Sequence, residues 1–349
     1  IASPPNLFIG DGSAEDVTLR MWDDSATPVR IWVSNADGKL NFGDVSGNYS
    51  YITTTGDDSL TLIDISTPSN PSYVGHIAGT GSPNYLSYAT AVVVDGNYAY
   101  VTGYTDNSLV VVDITTPSTP TLKGVGLSTS HLDNPIGLAK SGNYVYIASW
   151  ADRKLTIFDV TDPANPAYLS NYYHATYLQR IRGVAVAGNY AYCVSDTYIT
   201  VVDITTPGTP TLHGVLNHAD LDGAFNVALS GNYAFCVSFT DDFLTVIDIS
   251  DPANPAFAAS IGGAGSPNYL NGASDVKVSG NYAFVVSYND DSLTIFDIST
   301  PTSPSLAGVI HGENNYLNGC IGIDVSGDYA YVSSSLQVSI AFKPWVIII

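Results

Sequence analysis

Positive charge is scarce in this chain: 11 lysines and arginines stand against 32 aspartates and glutamates in 349 residues, a net charge of -21. Such a surface repels a phosphate backbone, which excludes a nucleic-acid partner. A cationic partner or calcium is compatible with it. Charge of either sign is low as well, at 12% of residues. The polar surface is therefore built from Ser, Thr, Asn, Gly and 24 tyrosines, a lysine-poor makeup that points to an extracellular protein or to a cell or virion surface. No apolar run approaches the ~20 residues that span a bilayer, so membrane insertion is not expected. Three cysteines leave at least one thiol without a partner in the chain, and no CxxC or Cys/His spacing suggests zinc. The chain begins at Ile1, without methionine and without a charged-then-apolar leader, which fits removal of a leader or trimming of the chain.

What is abundant is repetition. A Gly-Asn or Gly-Asp pair runs into tyrosine at Gly47-Asn48-Tyr49, Gly96-Asn97-Tyr98, Gly142-Asn143-Tyr144, Gly188-Asn189-Tyr190, Gly231-Asn232-Tyr233, Gly280-Asn281-Tyr282 and Gly327-Asp328-Tyr329. The glycines are 49, 46, 46, 43, 49 and 47 residues apart, the period of four-stranded propeller blades. Residues 273–310 show one unit: strand Ala273 to Val278, the two-residue turn Gly280-Asn281, strand Tyr282 to Ser287, the turn Asp290-Asp291, strand Leu293 to Ile298, a Ser/Thr/Pro stop, and strand Leu306 to Ile310. The expectation is an all-β, seven-bladed propeller of four-stranded antiparallel blades over residues 43–349, with residues 1–42 as a short N-terminal β module or strap. Cys193 and Cys236 then occupy one strand position in consecutive repeats. Equivalent positions of adjacent blades are too far apart for a disulfide, so both read as small buried apolar residues.

The third strand and its turn recur as Asp64-Ile65, Asp113-Ile114, Asp159-Val160, Asp203-Ile204, Asp248-Ile249 and Asp297-Ile298, each followed by Ser/Thr-x-Pro. Leu109-Val110-Val111-Val112-Asp113-Ile114 with Pro117 and Pro120 resembles the LVIVD repeat family. That resemblance covers roughly residues 43–349, implies a propeller with a surface location, and carries no shared catalytic residues. The stretch Gly10 to Leu19 with Asp23-Asp24 resembles short β modules of tail-fibre and other structural proteins of aquatic phages, over about 35 residues. The repeated Asp reads as an acceptor for backbone N–H groups of the turn that follows rather than as a ring of metal ligands.

With strands running outward from the axis, the Gly-Asn-Tyr and Ser/Thr-x-Pro turns share one invariant face. The turns between second and third strands and the loops between repeats share the other, which varies and is where binding is expected. There, Asp57, Asp58, Asp106, Asp152, Asp196, Asp241, Asp242, Asp290 and Asp291 form an acidic crown. Calcium is compatible with it, although no turn has the D-x-D-x-D-G spacing, and turn-forming Asp is the competing reading. The inter-repeat loops offer Tyr85, Tyr173, His174, Tyr269 and Tyr316 for a glycan or surface receptor. Packing competes there too, because a leucine falls ten residues before the turn glycine in six repeats (Leu86, Leu132, Leu178, Leu221, Leu270, Leu317). Trp150, Arg153, Lys154, Arg180 and Arg182 make one basic spot that can dock an acidic surface or simply pair locally with Asp152.

At the ends the repeat fails. Trp22 and Trp32 lie in the N-terminal module, and the seventh repeat lacks the acidic turn and the Asp before ending in Trp345-Val346-Ile347-Ile348-Ile349. These apolar β-formers must be covered, in the last blade or against another subunit. Trp22, Trp32, Trp345, Ile347 and Ile349 are thus candidates for assembly. For the outer strand of the last blade the C-terminal segment is preferred over Val29 to Val33, with the N-terminal module making its contacts elsewhere. No catalytic or metal-ligating grouping is marked. The expected function is non-enzymatic and needs no cofactor: a self-assembling fibre, surface-layer or virion component forming a homo-oligomer or polymer. The alternative is a glycan- or receptor-binding propeller, with a hydrolase or lyase bearing an axial site behind both.

Overall fold

The structure is a computed structural model that describes residues 6–9, 17–22, 30–34, 40–68, 70–128, 130–312, 317–334 and 339–342, with side chains for those between 43 and 334. Six four-stranded antiparallel sheets are arranged as blades. In the first, the strands are Leu40–Ser46, Tyr49–Thr54, Ser59–Asp64 and Ser72–Ala78; the sixth, Ala273–Ser279, Tyr282–Ser287, Ser292–Asp297 and Ser305–His311, matches the sequence reading within a residue at each end.

The expectation of seven four-stranded blades is corrected to six. The last repeat supplies Cys320–Ser326, Tyr329–Ser334 and Ser339–Phe342, and these continue into Arg30–Ser34, Val17–Trp22 and Asn6–Ile9 as one six-stranded sheet. The cause is visible in the sequence: the last repeat lacks the Asp-Ile/Val-Ser/Thr-x-Pro turn that folds a fourth strand back in every other repeat. Ile31 pairs with Ile340, so the N-terminal strand rather than a C-terminal one lies beside Ser339–Phe342. The inner strand Cys320–Ser326 sits between Ala273–Ser279 and Leu40–Ser46, and the ring closes there. Trp22 and Trp32 fall in the N-terminal strands, whereas Trp345, Ile347 and Ile349 lie outside the described residues.

The local chemistry explains each blade. The glycine of every Gly-Asn/Asp-Tyr turn has φ between 55° and 60°, a left-handed value open to glycine at little cost, and Ser46 pairs with Tyr49 across a two-residue loop. Second and third strands are buried almost continuously, as in Leu109 to Val112, because both faces of a blade press on neighbours. The six loop leucines are fully buried between blades, as their spacing implied. Cys193, Cys236 and Cys320 are free and buried, and burial pushes their thiols up. The repeated Asp accepts the turn amide two residues on, as in Asp64 from Ser66 and Asp297 from Ser299, both at 2.8 Å.

Outer edges are managed by a bulge. The fourth strand skips one residue in its pairing in all six blades, as between Gly75 and Tyr73, which bends the edge away from further pairing. At Gly75, Gly124 and Gly214 the proline turn of the following blade leans on the bulged strand; a Cβ on Gly124 would stand 2.5 Å from the Pro163 carbonyl oxygen and 2.7 Å from that of Ala164.

Around the axis the inner strands are joined in two ways. From the third to the fifth blade small residues let backbones approach, with Gly183 placed so that a Cβ would lie 2.8 Å from the Asn226 Cα. Across the closure, carboxylates make the joint. Asp275 accepts the Ile323 N–H at 2.8 Å, Asp324 accepts the Val45 N–H at 2.6 Å, and Asp44 accepts the Val94 N–H at 2.5 Å. Asn226 donates to Asp275 from the fifth blade. Lys277 sits among these acids, 3.8 Å from Asp324, enclosed by inner strands yet with 39% of its side chain open to the axial space. Burial first, and then the Asp324 charge, pushes Asp44 up to about 6; burial pushes Asp275 to about 6 against the pull of Lys277 and its hydrogen bonds.

Two outcomes are expected. Gly124→Ala should destabilise the fold by about 1–3 kcal/mol through overpacking against backbone, seen as a lower denaturation midpoint, whereas Gly142→Ala, which has open space, should cost only its positive-φ strain. The second concerns pH. Asp44 and Asp275 hold protons in the folded chain at pH values where the unfolded chain has released them, so folding gains stability as pH falls from about 6 to about 4. The thermal midpoint should therefore rise between pH 8 and pH 5, and Asp44→Asn should flatten that slope.

Candidate functional site

The acidic crown is present on the variable face, and the carboxylates of Asp58, Asp106, Asp152, Asp242, Asp290 and Asp291 are engaged with backbone. Asp106 accepts the Gly81 and Ser87 N–H groups at 3.0 and 2.9 Å, and Asp290 accepts those of Gly265 and Asn271 at 2.8 Å. The next turn residue reaches to the following blade: Asp58 to the Tyr88 N–H at 2.6 Å, Asp242 to Gly272 and Asp291 to Gly319, both at 2.8 Å. Asp58, Asp242 and Asp291 have φ of 52°, 62° and 49°, a turn conformation Asp tolerates. The crown thus ties loops together and joins blades.

In the third blade the reaching position is Arg153, which donates to the Ala175 carbonyl at 3.3 Å and cannot serve as an acceptor. The other cations of this region are spread out. Lys154 donates to the Ser130 carbonyl at 2.7 Å and lies 3.6 Å from Asp152, whereas Arg180 is exposed and 3.9 Å from Asp196. Arg182 turns toward the axis, its guanidinium carbon 5.4 Å from the centre of the Phe225 ring. Burial, and to a lesser degree Arg180, lowers its pKa while Asp196 opposes.

The loop tyrosines divide. Tyr85 packs on the core between the first two blades, and its carbonyl accepts the Ser108 hydroxyl at 2.7 Å. Tyr269 takes the equivalent place, with its ring stacked on His311 at 4.0 Å. His174 is stacked on Tyr177 at 3.8 Å and accepts its N–H at 2.9 Å. Tyr173 is exposed at 53%, and Tyr316 lies outside the described residues.

The cavity that the sequence reading missed is axial. On the variable face the ring opens into a funnel of about 370 Å³, within the range of small-molecule sites. One wall is a run of aromatic rings, Phe225 to Phe239 at 5.7 Å and Phe239 to Tyr288 at 6.2 Å; the other is Tyr88 against Tyr104 at 5.4 Å. Ile136 and Ile321 fill the sides. Tyr104, Phe239 and Tyr288 share one place in their repeats, immediately after the second strand, where their N–H groups bond to the residue preceding the inner strand at 3.1, 3.0 and 2.9 Å. Trp150 makes the same bond to Asn134 at 3.1 Å. An aromatic directly after the second strand in four repeats, Tyr104, Trp150, Phe239 and Tyr288, is the sequence signal for this place.

The lining offers stacking surface, phenolic hydroxyls and a neighbouring guanidinium, and it carries no carboxylate or imidazole. Such a lining can stack against a ring-shaped ligand.

A search of curated proteins finds no match. Among solved structures, a functionally unknown protein from Desulfotomaculum acetoxidans is 14% identical over 86% of this chain and 97% of its own, with a TM-score of 0.64. Hydrazine synthase of Kuenenia stuttgartiensis is 15% identical over 88% and 95%, with a TM-score of 0.63. BamB from Moraxella catarrhalis is 15% identical over 98% of both chains, with a TM-score of 0.56. At such identity these proteins share the fold alone. The LVIVD repeat model matches residues 44–78, 87–126, 137–174, 180–217, 223–261, 272–311 and 321–337. Most of the chain is thereby accounted for, repeat by repeat and in register with the strands, and the protein belongs to the LVIVD repeat family.

Proposed function

We propose that the protein is a non-enzymatic structural propeller of an extracellular, cell or virion surface that self-associates through its terminal strands into a fibre, layer or particle component. One observation carries this reading. The six blades bulge their outer strands, but Asn6–Ile9, the outermost strand of the six-stranded sheet, pairs with Val17–Trp22 in unbroken register from Asn6 opposite Arg20 to Ile9 opposite Val17. A regular, largely apolar edge of sequence Asn-Leu-Phe-Ile is a template for a strand of another copy. Each copy carries -21, so association works against repulsion that salt screens. The sparse lysine supports the surface location. The alternative, a glycan- or receptor-binding propeller, rests on a separate part of the molecule, the axial funnel.

Light scattering and electron microscopy of the purified chain test the reading. Ordered polymers should form and should strengthen with ionic strength. The double variant Leu7→Pro, Phe8→Pro, which removes a donor from the free edge whichever of the two residues faces it, should leave folded monomers. A wild-type chain that stays monomeric at all salt concentrations, or a double variant that polymerises as before, would overturn it.

A further inference from the structure

We propose that the axial funnel binds an acidic sugar, a pyranose ring laid between the aromatic walls with its carboxylate directed to Arg182. This deepens the glycan-binding alternative by naming the ligand class, and it does not depend on self-association, since monomer and polymer both present the same funnel.

The shape argument comes from the two walls. A pyranose has apolar C–H faces that stack on aromatic rings and a rim of hydroxyls. Phe225, Phe239 and Tyr288 provide one continuous face, and Tyr88 with Tyr104 provides a second across the opening. Tyr88 and Tyr288 are 42% and 38% exposed, so both remain open to a ligand. Their phenolic ends, with that of Tyr104, suit a polyhydroxylated ring better than a purely aromatic guest.

The charge argument comes from Arg182. It stands one residue into its inner strand, the register at which Thr90, Ile136, Phe225, Ser274 and Ile321 line the funnel. The guanidinium is half-buried over Phe225 and feels the charge of Asp196, which Arg180 approaches to 3.9 Å. On a chain with 32 acidic residues the residues lining the funnel include no carboxylate, and the Arg182 guanidinium stands beside that lining, over Phe225, where it can meet an anion. A guanidinium matches a carboxylate with two parallel hydrogen bonds. Thr90 and Ser274 are not free to take part, because their hydroxyls bond to the Pro135 and Cys320 carbonyls, both at 2.9 Å.

Calorimetric titration of the full chain with trigalacturonate, with the uncharged galactose trimer and with benzoate separates the possibilities. Trigalacturonate should bind about tenfold more tightly than the neutral trimer, and Arg182→Gln should bring the two to the same affinity. Tyr288→Ala, a substitution at an exposed ring that leaves the core intact, should weaken both sugars. Equal binding of the acidic and neutral trimers overturns the charge assignment while leaving a glycan-binding propeller. Tighter binding of benzoate, an unchanged affinity in Arg182→Gln, or binding of none of the three overturns the proposal.

Discussion

The fold depends on how a blade is held to the next one. Within a blade neighbouring strands are held by ordinary antiparallel pairing, but a ring of independent sheets has no such ladder between its members. The chain supplies the missing joints with side-chain oxygens aimed at the neighbour's backbone: Asp58, Asp242 and Asp291 on the variable face, and Asp275, Asp324 and Asp44 along the axis. The acidity of the chain is therefore partly architectural. A carboxylate accepts several N–H groups at once and fits a turn at positive φ, and Asn107, at φ 53°, fills the same role by accepting the Asn134 N–H at 3.0 Å.

The axial joints are concentrated where the repeat runs out. Small residues suffice where successive repeats are alike, because their inner strands approach closely. At the seam between the last and first repeats, three carboxylates and Lys277 take over. The carboxylates are largely buried there, and the penalty for charge appears as the raised pKa values of Asp44 and Asp275. The same seam takes in the N-terminal strands. Closure and the pH response thus share the inner strands of this seam, and Asn6–Ile9 ends the same sheet at its opposite edge.

Much of this was legible in the sequence. The Gly-Asn-Tyr turns located hairpins to the residue, the LVIVD strands announced burial on both faces, and the leucines at fixed spacing marked loops anchored between blades. The blade count failed because it counted the first hairpin of each repeat, which the last repeat has, and not the fourth strand, which it lacks. The crown could be listed but not interpreted, since whether a carboxylate faces solvent, calcium or an amide depends on the neighbouring blade. The funnel was hidden for the same reason: Tyr88, Tyr104, Phe225, Phe239 and Tyr288 are spread over 201 residues and meet only when the ring is closed. Loop tyrosines that looked available, Tyr85 and Tyr269, turned out to be packed, because the leucine that follows each one draws the loop into the core.

Amide hydrogen exchange resolved to single residues tests the central claim most directly. If carboxylates join the blades across the closure, the Val45, Val94 and Ile323 amides exchange only on global unfolding, and Asp324→Ala accelerates Val45 selectively while amides within the second to fifth blades keep their protection. Rapid exchange at those three amides in the unmodified chain, or acceleration spread evenly over all blades in the variant, would contradict it.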